Sequence, residues 1–161
     1  MAGDRKRGTG KQDRIPQTRE KTDEEVKKAI FTVENAFENS LEPVLIREMN
    51  PFQRKQIYRH FEKTDEYQIK SYREGEEVTL RVYPVGRLKR LAEEKMQIVL
   101  MNGMPEALPA MGSFERFVIH SYLKDREGVR TESVGERGND RHIEIQPLFG
   151  RALKKAKRRL M

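Results

Sequence analysis

Shifted by 62 positions against itself, the chain aligns residues 27–74 with 89–136 without a gap, and eight positions are identical. These are Lys27 and Lys89, Pro43 and Pro105, Met49 and Met111, Phe52 and Phe114, Arg54 and Arg116, Ile57 and Ile119, Ser71 and Ser133, and Glu74 and Glu136. About three identities are expected from ordinary residue usage. Five of the eight fall between Pro43 and Ile57, so the likeness clusters at one structural step. A period this long means two small domains in series, not a solenoid. A chain of 161 residues is long enough for that and for little more.

The local patterns repeat in the same order. Val26, Ala29, Ile30, Val33, Ala36 and Phe37 recur at helical spacing behind Thr22-Asp23-Glu24-Glu25, which has the form of a capping box. Leu41 to Glu48 reads as an extended connection. Asn50-Pro51-Phe52-Gln53 then predicts a second helix start, with an Asn cap, Pro at the first helical position and Gln at the third. Tyr67 to Tyr72 and Val78 to Tyr83 alternate like the strands of a hairpin around Gly75. Helical spacing returns with Leu88, Leu91, Ala92, Met96 and Val99 and stops at Asn102-Gly103. An extended piece at Pro105 to Pro109, a helix from Met111, and strands at Val129 to Val134 and His142 to Leu148 follow, the last two joined through Gly138-Asn139-Asp140.

Charge is distributed unevenly. The net charge is +7, with +4 in residues 1–21 and +6 in residues 150–161, which leaves −3 for residues 22–149. Within that remainder, residues 22–86 carry −3 and residues 87–149 carry zero, making the first half the poorer site for a polyanion. Basic tails hold polyanions because each neutralised phosphate releases a counterion. The opening 21 residues, polar and broken by Pro16, are expected to be disordered. There is no cysteine, which excludes disulfides and thiolate zinc sites and suits a reducing cytoplasm. His60, His120 and His142 do not stand at metal-ligand spacing, no apolar run is long enough to span a membrane, and no cofactor is expected.

In the helix that starts near Met111, Phe114, Val118, Ile119, Tyr122 and Leu123 fill one arc, while Ser113, Arg116 and His120 group outside it. Arg116 and His120, four residues apart, leave the same face. Matching positions in the first half are Arg54 and Tyr58.

Around that pair, Leu88 to Glu94, Leu108-Pro109-Ala110-Met111, Thr131 to Glu136 and Asn139 to Ile143 together resemble the R-three-H domain over residues 87–149. The version they look most like is that of the bacterial Jag proteins. Those usually carry a KH domain first; here no Gly-x-x-Gly loop is found, and the diverged copy stands in its place. The resemblance implies a small α+β fold, with helices packed on a three-stranded sheet, and binding of single-stranded nucleic acid. With the repeat it predicts two such units, each on a small, mostly antiparallel sheet, at 22–86 and 87–149, flanked by a basic tail at 1–21 and a basic tail or helix at 150–161.

Arg116 is the expected phosphate anchor, because a guanidinium presents a rigid fork of donors at any cellular pH. His120 is open to several roles: donor to phosphate or ribose, base stacking, a charge gained as pH falls, or packing. Arg141 and His142 are expected to extend the basic surface, and Arg54 to offer a weaker contact. Lys154, Lys155, Lys157, Arg158 and Arg159 form a basic run with Leu153, Ala156 and Leu160 roughly on one side. The expected function is binding of single-stranded RNA or DNA, RNA favoured, by a non-enzymatic protein. Docking on an acidic protein or ribonucleoprotein partner is the alternative. Catalysis finds no paired carboxylates with a base, no phosphate-cradling glycine loop and no nucleophile triad.

Overall fold

The computed structural model describes residues 16–136, 140–149 and 151–161. The expected disordered stretch therefore lies largely outside the described residues, as do residues 137–139 of the expected turn. The described chain is α+β, with five helices and two small antiparallel three-stranded sheets. Helix α1 (Pro16–Asn39), strand β1 (Val44–Ile46), helix α2 (Pro51–Phe61) and the hairpin β2 (Gln68–Glu74) and β3 (Glu77–Tyr83) form the first unit. The second contains α3 (Val85–Asn102), β4 (Glu106–Ala107), α4 (Ser113–Leu123), β5 (Val129–Val134) and β6 (His142–Pro147), followed by α5 (Arg151–Leu160).

Both sheets have the same order, β1-β3-β2 and β4-β6-β5. Their registers also correspond. Ile69 faces Val82 and Ser71 faces Leu80 in the first; Thr131 faces Ile145 and Ser133 faces Ile143 in the second. A shift of 62 therefore relates β2 to β5, and a shift of 63 relates β3 to β6, with one residue added between the strands. The extended connections of the sequence are the short strands β1 and β4, which have no room to show a strand period of their own.

Helix α2 begins as its residues dictate. The Asn50 side chain accepts from the Gln53 amide, Gln53 Oε1 accepts from the Asn50 amide, both at 2.9 Å, and Pro51 opens the helix. Helix α1 departs from expectation, starting at Pro16, six residues before the predicted cap Thr22. The acidic residues read as its first turn instead face α2, where Glu25 accepts from Gln53 Nε2 at 2.7 Å and Asp23 from Gln56 at 3.3 Å. Helix α3 likewise begins before Leu88, where the helical spacing starts, at Val85 with Pro84 as its cap, and ends on Gly103 at φ 72°, a left-handed position that suits glycine.

Two cores result. Val26, Val33, Phe37, Ile57, Phe61, Leu80 and Val82 close the first, and Leu88, Ala92, Met96, Val118, Ile119, Ile143 and Ile145 close the second. They meet at Tyr83, the last residue of β3, which is buried in the second core, and α3 starts two residues later. The joint is reinforced by a bidentate Arg90–Glu66 pair at 2.8 Å and by Arg87 Nη1 on Ser40 O at 3.2 Å. Within the basic run, Arg151–Leu160 form helix α5, seated on the second unit. Ala156 is buried in that core, and Lys155 and Arg159 pair with Glu127 at 3.1 and 3.0 Å. No helix among the described residues is long and apolar enough to cross a membrane.

Candidate functional site

Helix α4 carries the Arg116 and His120 pair. Its buried side is Glu115, Val118, Ile119 and Leu123, with Phe114 and Tyr122 partly covered, so the expected apolar arc packs inward. Tyr122 is a packing residue, its hydroxyl on Glu93 at 3.0 Å. Arg116 leans back over the start of the helix and donates from Nη1 to Met111 O at 2.6 Å. Arg54 does the same to Met49 O at 2.8 Å, the matching position in the first unit. Each arginine thus fastens the turn before its helix with one donor and leaves the remaining donors of the fork available.

His120 is committed elsewhere. Its Nδ1 lies 2.6 Å from Thr131 Oγ1, tying α4 to β5. Burial first, and then the Arg116 charge, hold its pKa below the usual 6.5, so the ring is neutral near pH 7. In the first unit the corresponding positions are Tyr58, partly buried against the core, and Ile69, buried within it. His120 thus links α4 to β5.

This commitment makes folding depend on pH. With its folded pKa lowered, His120 contributes stability that is complete above 6.5 and is lost as pH falls from 6.5 to the lowered folded value, because the unfolded chain takes the proton first. Urea midpoints are expected to fall from pH 7 across that window in the wild type, and His120→Gln is expected to flatten that part of the profile. An unchanged slope in the variant would assign the effect to other groups.

Arg141 and His142, expected to act together, separate. Arg141 donates from Nε to Ser133 Oγ at 3.0 Å, and its carbonyl accepts from the Met111 amide at 3.1 Å, beside the start of α4. His142 lies opposite Val134 on the other face of the sheet, its Nδ1 2.8 Å from Asp140 O. Alternation along a strand is the reason. Ser133 is accordingly an internal partner of Arg141.

Arg116 and Arg141 line a cleft of about 1360 Å³ between the units, whose walls also include Tyr72, Arg81 and Tyr83 of the first unit and Ser113 and Phe114 of the second. His120, His142 and Arg54 are not among its walls. Burial, and next a hydrogen bond with Tyr72, push the Tyr83 phenol up to about 12, so it stays neutral. Sequence reasoning missed Arg81 and Tyr72, since nothing in an alternating strand marks which face meets another unit. It also missed Glu115, buried at the third position of α4, where a carboxylate complements the helix dipole. A side chain at Gly112 would collide with that carboxylate.

Along α5, Lys154 and Arg158 are exposed and have no ion pair among the described residues, whereas Lys155 and Arg159 share Glu127 and Lys157 is half-buried. Among the described residues no group of three or more His, Asp or Glu side chains is arranged to hold a metal ion.

Residues 87–147 match the R-three-H domain. The match begins within α3 and ends at the last residue of β6, taking in α4, Arg116, His120 and Arg141. The R-three-H domain is generally a nucleic-acid-binding domain. No curated protein is matched by the chain.

Proposed function

We propose that the chain binds single-stranded nucleic acid, RNA ahead of DNA, mainly through phosphate contacts of low sequence specificity, as a binding module and not as an enzyme. The observation that carries this reading is Arg116 within the R-three-H match, held by one donor at Met111 O and lining, with Arg141, one open cleft. A fixed guanidinium fork suits phosphate oxygens, and two arginines in one wall suit successive phosphates. Exposed Lys154 and Arg158 on α5 add long-range attraction. We read the first unit as a diverged copy, supported by the common sheet order, the 62- and 63-residue register shifts and the matching Arg54 and Arg116 bonds. The blocks from Leu88 to Ile143 that carry the R-three-H resemblance look most like the Jag version, and a chain without cysteine suits the cytoplasm.

Fluorescence anisotropy with labelled oligo(U), oligo(dT) and duplex of equal length tests the reading. Single strands are expected to bind best and RNA best of all, with log K falling linearly in log salt by about 0.7 per phosphate neutralised. Equal affinity for duplex and single strand would sink the single-strand preference. No binding of any strand at about 50 mM salt, where phosphate contacts are strongest, would sink the function.

A further inference from the structure

Arg81 stands in the middle of β3, opposite Leu45 of β1 and Lys70 of β2, on the face of the sheet away from the first core. That face is where the second unit docks. The Tyr83 and Phe114 rings lie 4.4 Å apart, and Lys70 Nζ sits 3.7 Å over the Phe114 ring. Two cations directly opposite on neighbouring strands repel each other. Arg81 and Lys70 have no ion pair with a carboxylate among the described residues; instead each lies over a ring, Arg81 over Tyr72 at 4.7 Å and Lys70 over Phe114. Arg81 Nε is buried and has no hydrogen-bond partner among the described residues.

The register shows that this is a departure from the other unit. Where the first sheet has Lys70 opposite Arg81, the second has Glu132 opposite Glu144. That pair of like charges is relieved by one amide, Gln146 Nε2, which donates to Glu132 at 3.1 Å and to Glu144 at 2.9 Å. Gln146 occupies the position of Tyr83. In the first sheet that position is Tyr83, whose hydroxyl accepts from the Arg81 guanidinium, while Arg81 Nε stays without a partner among the described residues, and Arg81 opens into the same cleft as Arg116 and Arg141. Three arginines against the two carboxylates of Glu42 and Glu115 leave the cleft walls net positive, the complement of an anion. The cleft, at about 1360 Å³, exceeds the roughly 300–1000 Å³ of an ordinary small-ligand pocket, which points to a polymer.

We infer that the cleft is a composite site in which the backbone of single-stranded nucleic acid passes between the units, one phosphate held by Arg81 of the first unit and its neighbours by Arg116 and Arg141 of the second. The inference rests on the binding reading above and deepens it. Tyr72, 39% exposed, keeps part of its surface for a base to stack beside the phosphate at Arg81. The first unit, acidic in sum, thus presents Lys70 and Arg81 on the sheet face that adjoins the second. Each unit supplies what the other's sheet or helix lacks, so neither is the whole site.

The experiment uses the full chain with oligo(U) of about 4 to 16 nucleotides, the span of ordinary single-strand sites, and compares the wild type with Arg81→Met, which keeps a long apolar stem over Tyr72. Arg81→Met is expected to weaken binding of the longer oligomers about tenfold, to lower the magnitude of the salt slope by about 0.7, and to leave the melting temperature in place. Wild-type affinity for Arg81→Met, with binding lost in Arg116→Ala, would overturn the composite site and leave the binding reading standing. A wild-type chain that binds no oligomer would overturn both. Uridine monophosphate competing as well as the oligomer, mole for mole, would overturn the polymer path in favour of a small-ligand pocket. Independently of any variant, photocrosslinking of a 4-thiouridine oligomer is expected to label the β2–β3 peptide at Tyr72. Labelling confined to the second unit and α5 would overturn the inference.

Discussion

Arg116→Ala is expected to weaken binding of a single-stranded oligonucleotide by about 10- to 100-fold, and Arg54→Ala to leave it close to the wild type. A hydrogen bond from a charged donor contributes about 1.5–3 kcal/mol, and each step of about 1.4 kcal/mol is tenfold in affinity. The comparison isolates the contact with ligand because both arginines have the same internal task. Each fastens the turn before its helix through Nη1, to Met111 O at 2.6 Å or Met49 O at 2.8 Å, so both variants lose a similar structural bond. Only Arg116 of the two faces the cleft. Anisotropy titrations on the two variants, with thermal melts to compare their stability, decide the matter. Equal losses of affinity would remove the second unit's claim to be the principal site.

Ala156→Glu is expected to destabilise the second unit by about 2 kcal/mol or more, and Leu160→Glu to change it by less than about 0.5 kcal/mol. Ala156 is 5% exposed and belongs to the second core, whereas Leu160 is 44% exposed. A carboxylate at Ala156 has either to be buried without a partner or to push α5 off α3. Amide exchange would separate these outcomes, since undocking exposes α5 and leaves α3 protected. An unchanged melting temperature in Ala156→Glu would return residues 151–161 to the status of a loose basic tail. The distinction matters for binding, because a docked α5 presents Lys154 and Arg158 in fixed positions while Lys155 and Arg159 are drawn toward Glu127.

Both outcomes bear on how far the chain could be read without its fold. The start of α2 was legible to the residue because capping is local: Asn50, Pro51 and Gln53 meet their own neighbours. The two hairpins and the core-facing stripes of α3 and α4 were legible for the same reason, as alternation and helical spacing arise within one element. The start of α1 was misplaced because Asp23 and Glu25, which fit a first turn, are used between helices instead. Strands β1 and β4, of three and two residues, exist through their pairing with β3 and β6. The Arg116 and His120 pair was found by spacing, but its division of labour was not, because Thr131, the partner of His120, comes from another element.

Local chemistry therefore determined the order of elements and placed Arg116 and His120 on one helix, α4. Tertiary structure decided which face of each element met another: that α5 closes a core, that Arg141 and His142 part, and that Arg81 and Tyr72 stand across a cleft from Arg116. A strand's period of two assigns its residues to two faces, but only the packed neighbour makes one of those faces a wall of a site.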